Sequence, residues 1–280
     1  MKKFIVAAAV AGAALASAGA SASLVNYTID DNGAAAGGVL KVASSLNFDS
    51  FGYNIVSPTS ATTFNFSEVA ALEITSTDLS SALGGGNFRV KNNTEITGVL
   101  NGIGNGFLTP AGGSAFFTGG SLQLYSEGAP TATSEYGGTD GLFGADGGTN
   151  WATLKVLGGS VSPLALTGYG PTDNAALTLT LEFTALTHGY LFTSGGVDLA
   201  DILAVNPLVF SFITGNASPV DPTSIQYPVL VTEFSASPDA THFFTTSGGQ
   251  VRLDVPEPGS LALVGIALAG LGMSRRRKAA

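Results

Sequence analysis

The chain has 280 residues, 11 of them basic and 20 acidic, for a net charge of −9, and it contains no cysteine. The acidic balance excludes partners held through a phosphate backbone or an anionic lipid surface. The missing cysteine excludes a disulfide framework and a thiol nucleophile, so packing alone must hold any fold.

Lys2-Lys3 followed by an apolar stretch to about residue 16 has the form of a signal peptide. Ala20-Ser21-Ala22 is a small-x-small cleavage site that makes Ser23 the first mature residue, and Ala18-Gly19-Ala20 offers a second. The expected division is residues 1–22 signal peptide, 23–254 folded domain and 255–280 a second address. Between the two ends only Lys41, Arg89, Lys91, Lys155 and Arg252 remain as cations, against 20 acids, a net charge of −15.

Residues 24–29 and 39–42, separated by Asp30-Asp31-Asn32-Gly33, read as a hairpin. Residues 48–55 form a further strand, ended by Pro58. Residues 62–74 form another, in which Phe64 and Phe66 alternate with Asn65 and Ser67; a helix over residues 67–72 is the alternative. Residues 88–91 and 94–100 flank an Asn92-Asn93 turn. Phe116-Phe117 and residues 121–125 continue the alternation. Residues 127–150 are the longest polar stretch and read as a surface loop. Trp151 opens a strand that Gly158-Gly159-Ser160 should turn. Residues 175–186 carry the strongest pattern, with Leu177, Leu179, Leu181 and Phe183 on one face and Thr178, Thr180, Glu182 and Thr184 on the other. Residues 197–203, with Asp198 early, are the best helix candidate. Residues 190–193, 209–213, 228–234 and 250–254 read as strands. About a dozen short strands with almost no helix predict an all-β fold, an antiparallel β-sandwich first and a jelly-roll-like or barrel arrangement second.

The tail is the most specific stretch. Pro256-Glu257-Pro258-Gly259 precedes an uncharged apolar run over residues 261–273, and Arg275-Arg276-Arg277-Lys278 follows. A helix over residues 259–274 would be roughly 24 Å long at about 1.5 Å per residue, short against a hydrocarbon core of roughly 30 Å. It reads as a short C-terminal transmembrane helix with its basic end in the cytoplasm. Motif, helix and basic cluster in this order resemble the PEP-CTERM sorting signal of exported bacterial proteins. The resemblance implies export through the inner membrane, which the chain would touch only transiently. It also implies cutting near Pro256-Glu257-Pro258 by an exosortase-type membrane protease, and a destination at the cell surface or in the extracellular matrix. Residues 116–125 and 250–258 are further similar to flocculation-associated PEP-CTERM proteins. That likeness implies a structural or adhesive role with exopolysaccharide in biofilm or flocs.

Candidate chemistry is sparse. His188 and His242 are the only histidines, and no Gly-x-Ser-x-Gly elbow frames a nucleophile. Glu182 and Glu233 are the carboxylates that a β-sandwich glycosidase would have to pair. A secreted carbohydrate-active hydrolase is therefore the alternative function, with Trp151 and Tyr136 as its sugar platform. The expectation is that the protein is not an enzyme and carries no cofactor. Calcium is the one candidate ion, on Asp140, Asp146 and Asn150 of the Gly-rich loop, or less favourably on Asp30, Asp31 and Asn32.

Overall fold

The computed structural model describes residues 26–33, 40–79, 94–132, 134–138, 141–165, 169–205, 207–239 and 241–254. The signal-peptide residues Ala20, Ala22 and Ser23, the strand expected at 88–91, and the tail with Pro256, Glu257, Pro258, Gly259, Arg275, Arg276 and Arg277 lie outside them.

The strands are β1 (Tyr27–Asp30), β2 (Leu40–Ala43), β3 (Ser45–Pro58), β4 (Thr63–Thr77), β5 (Thr94–Thr109), β6 (Gly112–Gly128), β7 (Thr149–Leu164), β8 (Pro171–Leu186), β9 (Leu191–Thr193), β10 (Val209–Pro219) and β11 (His242–Asp254). Two short helices join them, α1 (Leu199–Leu203) and α2 (Tyr227–Glu233). β3 to β8 pair in sequence order, β8 pairs with β10, β10 with β11, and β11 with β3. Every pairing is antiparallel, so eight strands form a closed barrel. The all-β expectation holds. The sandwich is corrected to its second-ranked alternative, because hydrogen bonding continues round the whole ring and leaves no free edge. The expected β1–β2 hairpin forms, and β9 adds to it as a separate three-stranded sheet.

The alternation sets the inside of the barrel. On β4, Phe64, Phe66, Ala70, Leu72 and Ile74 are buried on the lumen side. On β5, Gly98, Gly102, Gly104 and Gly106 occupy the corresponding inward positions opposite them. A Cβ at Gly104 would lie 2.4 Å from the Phe66 ring, and one at Gly106 would lie 2.2 Å from the Phe64 ring. The glycine row therefore makes room for large rings inside a narrow barrel. Eight strands give an interior that side chains can just fill, or that can hold one small ligand.

One end of the lumen is sealed. Trp151, 1% exposed, stacks on Tyr190 at 5.0 Å, and Tyr27, Ile29, Leu191 and Leu199 of the small sheet and α1 join the same core. The helix expected at 197–203 is present as α1, and Asp198 caps it, its carboxylate accepting from Ala200 N at 2.9 Å. Within the small sheet, the buried Lys41 ammonium lies 3.2 Å from the buried Asp31 carboxylate.

A second apolar cluster covers the outer wall of β11, β3, β4 and β5. Phe143 of the 129–148 loop meets Phe51 at 5.4 Å and Phe234 at 6.0 Å, and Tyr53 meets Phe244 at 5.3 Å. Residues 228–234, expected as a strand, are mostly α2. Pro228 sits in the first turn of that helix, and Tyr227, Leu230, Val231 and Phe234 place one apolar face on the cluster. That spacing of three, four and seven is helical, and it outweighs the strand preference of Val229, Val231 and Thr232. Gly158-Gly159-Ser160 does not turn the chain. It lies inside β7, where the register shifts at a bulge. The strand expected at 250–254 begins earlier, at His242. Residues 67–72 are strand, not helix.

Candidate functional site

Two surfaces of the barrel carry side chains that packing alone does not use. The first is the lumen toward its loop end, away from Trp151. A cavity of about 60 Å³ lies there, with Val56, Phe64, Phe66, Leu100, Phe117 and Leu179 in its wall. Phe66 and Phe117 meet edge to face at 5.2 Å, and Phe64 meets Tyr169 the same way at 5.3 Å. A polar strip from β3, β4 and β11 runs down one side. Asn54 Nδ2 donates to Thr245 Oγ1 at 3.1 Å, and the Ser50 and Ser247 hydroxyls are 2.6 Å apart.

Glu68 stands in the middle of this strip. It is the inward residue after Phe66 in the β4 alternation and pairs with Gly102 of β5. Glu68 is half-buried and lines the cavity. Burial pushes its pKa from 4.5 up to about 7, and a hydrogen bond from Asn54 opposes part of that rise. It is the only carboxylate lining the cavity, and no Lys, Arg or His lines it among the described residues. Glu68 was not a sequence candidate. Its signal was present as a lone acid at an inward position of an otherwise apolar row.

The second surface is the outer wall opposite the covered cluster. Asn65, Asn105, Phe116, Ser160 and Thr178 are successive partners across β4 to β8 and form one continuous rung. Phe116 stacks on Phe107 at 6.0 Å, with 27° between the ring planes, and each ring is 40% exposed. Ser160 and Thr178 hydroxyls are 3.0 Å apart, as are those of Ser114 and Ser162. Asn101, Thr118 and Thr184 are also exposed here, and so are Ile103 and Leu157, so this wall mixes polar and apolar side chains while the lumen is mainly apolar.

The expected site residues are distributed differently. Asp140 lies outside the described residues. Asp146 is exposed on the loop, and the Asn150 amide donates to the carbonyls of Leu124 at 3.3 Å and Ala152 at 3.4 Å. The loop itself is docked: Tyr136 N donates to the Glu95 carboxylate at 2.8 Å and Phe143 N to Glu233 Oε2 at 3.2 Å. In the other acidic turn Asp31 faces Lys41, while Asp30 accepts from Asn32 N at 3.0 Å. Among the described residues no group of three or more His, Cys, Asp or Glu is placed to hold a metal ion.

Glu233 ends α2 instead of lying in a strand, and Glu182 sits in β8 beside Lys155 of β7. Trp151 is sealed in the core, and the Tyr136 hydroxyl donates to Ala71 O at 3.1 Å, so neither is a sugar platform. His188 is exposed in the turn after β8, 3.5 Å from Asp198, and His242 opens β11, 2.8 Å from Asp239.

The fold and these two surfaces define an up-and-down antiparallel barrel with a mainly apolar lumen and an outer wall that carries an aromatic stack among Asn, Ser and Thr. The family model for the PEP-CTERM protein-sorting motif matches residues 254–278, immediately after β11. The chain therefore carries a PEP-CTERM sorting motif, which implies export, processing by an exosortase at the membrane and a destination at the cell surface or outside the cell. No curated protein matches the chain, and neither does any solved structure. Among the described residues no helix is long and apolar enough to cross a membrane. The helix expected at 261–273 lies outside them.

Proposed function

We propose that the exported barrel is a non-enzymatic structural protein of the extracellular matrix that holds exopolysaccharide, in biofilm or flocs, in the manner of the flocculation-associated PEP-CTERM proteins. The observation that carries this reading is the exposed Phe107–Phe116 stack set in a rung of Asn, Ser and Thr. The C–H face of a sugar ring packs on an aromatic face, and neighbouring amides and hydroxyls satisfy its hydroxyl groups. The antiparallel wall repeats such polar rungs, so many weak contacts can add along one polymer. The net negative surface favours a neutral polymer over an anionic one.

The test is the double variant F107A/F116A. Both rings are exposed, so the fold should persist. Electrophoresis of the exported protein through gels containing the producing cell's exopolysaccharide should show retardation for the native protein and little for the variant. Aggregate formation should fall while polysaccharide secretion stays unchanged. Equal retardation of the two proteins would refute the reading.

A further inference from the structure

We propose that the barrel lumen is a binding site for a slim aliphatic amine, its alkyl chain seated among Phe64, Phe66 and Phe117 and its ammonium group against the Glu68 carboxylate. Three observations carry this. The first is the cavity itself, about 60 Å³ inside the lumen and walled mainly by apolar side chains. That exceeds the roughly 10–15 Å³ that one water needs and falls below the roughly 150 Å³ of a cavity that takes benzene. The space therefore suits a short chain of one to three carbons and not a ring.

The second is the way the carboxyl is seated. A Cβ at Gly52 would lie 2.5 Å from Glu68 Oε1 and 2.8 Å from Thr245 Oγ1, so the β3 wall is cut back to the backbone where the carboxyl lies. Asn54 and Thr245 hold that side of the pocket. The third is charge. Glu68 and Tyr169 are the only ionisable groups lining the cavity, and no protein cation among the described residues lines it. A ligand ammonium supplies the missing partner, in a setting where a charge-assisted hydrogen bond is strong. Trp151, Tyr190 and the small sheet close one end. Entry is therefore from the end where Tyr169, Pro171 and Phe243 border the cavity.

An alkylammonium titrates near pH 10, as lysine does, so binding at neutral pH expels the proton that Glu68 holds when empty. Affinity should then rise between pH 6 and pH 8. The experiment is calorimetric titration of the exported protein with methylamine, ethylamine and n-propylamine, with propanoate as a comparison, on the native protein and on Glu68→Gln. The isosteric variant removes the charge and keeps the shape, and near-UV circular dichroism confirms its fold. The expected result is saturable 1:1 binding of the amines, tightening about fourfold per methylene from methyl to propyl. It should be stronger at pH 8 than at pH 6, weaker by about tenfold or more in Glu68→Gln, and absent for propanoate. Equal amine affinity in the native and variant proteins would overturn the proposal, as would no saturable binding by any chain length.

Discussion

Replacing Glu68 by Gln should make the protein more stable at neutral and higher pH. In the folded state the carboxyl titrates at about 7 against 4.5 when unperturbed, because burial disfavours its charged form. The folded protein thus binds the proton more tightly than the unfolded chain does. The contribution is fully favourable below about pH 4.5, declines as pH rises through 7, and levels off above. A shift of that size, at about 1.4 kcal/mol per unit, amounts to about 3 kcal/mol lost between pH 4.5 and pH 8. The difference between the urea-unfolding profiles of the native protein and Glu68→Gln from pH 5 to pH 8 isolates this group, because every other ionisable group is common to both proteins. The native protein should lose most of that 3 kcal/mol over the range. Glu68→Gln should lack that loss, and should exceed the native protein by about 2–3 kcal/mol at pH 8. Parallel profiles for the two proteins would refute the placement of Glu68 in a desolvated lumen.

Lys41→Met leaves the fully buried Asp31 carboxylate without its ammonium partner and should cost about 3–5 kcal/mol by urea unfolding, with part recovered when Asp31 is also made apolar. Gly104→Ala places a methyl group against the Phe66 ring and the Phe116 carbonyl, and should destabilise by about 1–3 kcal/mol or more. Phe234→Ala removes a ring that meets Tyr53, Phe143 and Phe244. It should cost about 3–5 kcal/mol and raise hydrogen exchange in the 129–148 loop before it does so in the barrel strands. On the acid side, burial raises the pKa of Asp78, but hydrogen bonds from Ser44 and Ser45 outweigh it and leave the group below the ordinary 3.8. Its stabilisation is present above that value and lost as pH falls further. Asp78→Asn should therefore flatten the acid limb of unfolding.

Local chemistry made several features readable. The tail is a linear signal whose order of motif, apolar run and arginines needs no fold, and the family match falls on the same residues. Asp198 caps α1 through an interaction only two residues long. The alternation of Leu177, Leu179, Leu181 and Phe183 marks the inner face of β8 because side chains on a strand change sides at every residue. For α2 the helical spacing of Tyr227, Leu230, Val231 and Phe234 was present, but it has value only once there is an aromatic patch to dock on, and Phe51, Tyr53 and Phe244 come from strands far away in sequence.

The sequence by itself determined where the protein is sent, that it is built of antiparallel strands, and which residues of each strand share a face. Only the tertiary structure decided that the strands close into a ring. Closure depends on the summed register of eight pairings, including the bulges in β6, β7 and β10, and no single strand encodes that sum. The same closure turned Glu68 from one acid on a strand into the one carboxylate that lines the lumen cavity. Phe107 and Phe116 need no closure to meet, because the local register of the β5–β6 hairpin sets their stack.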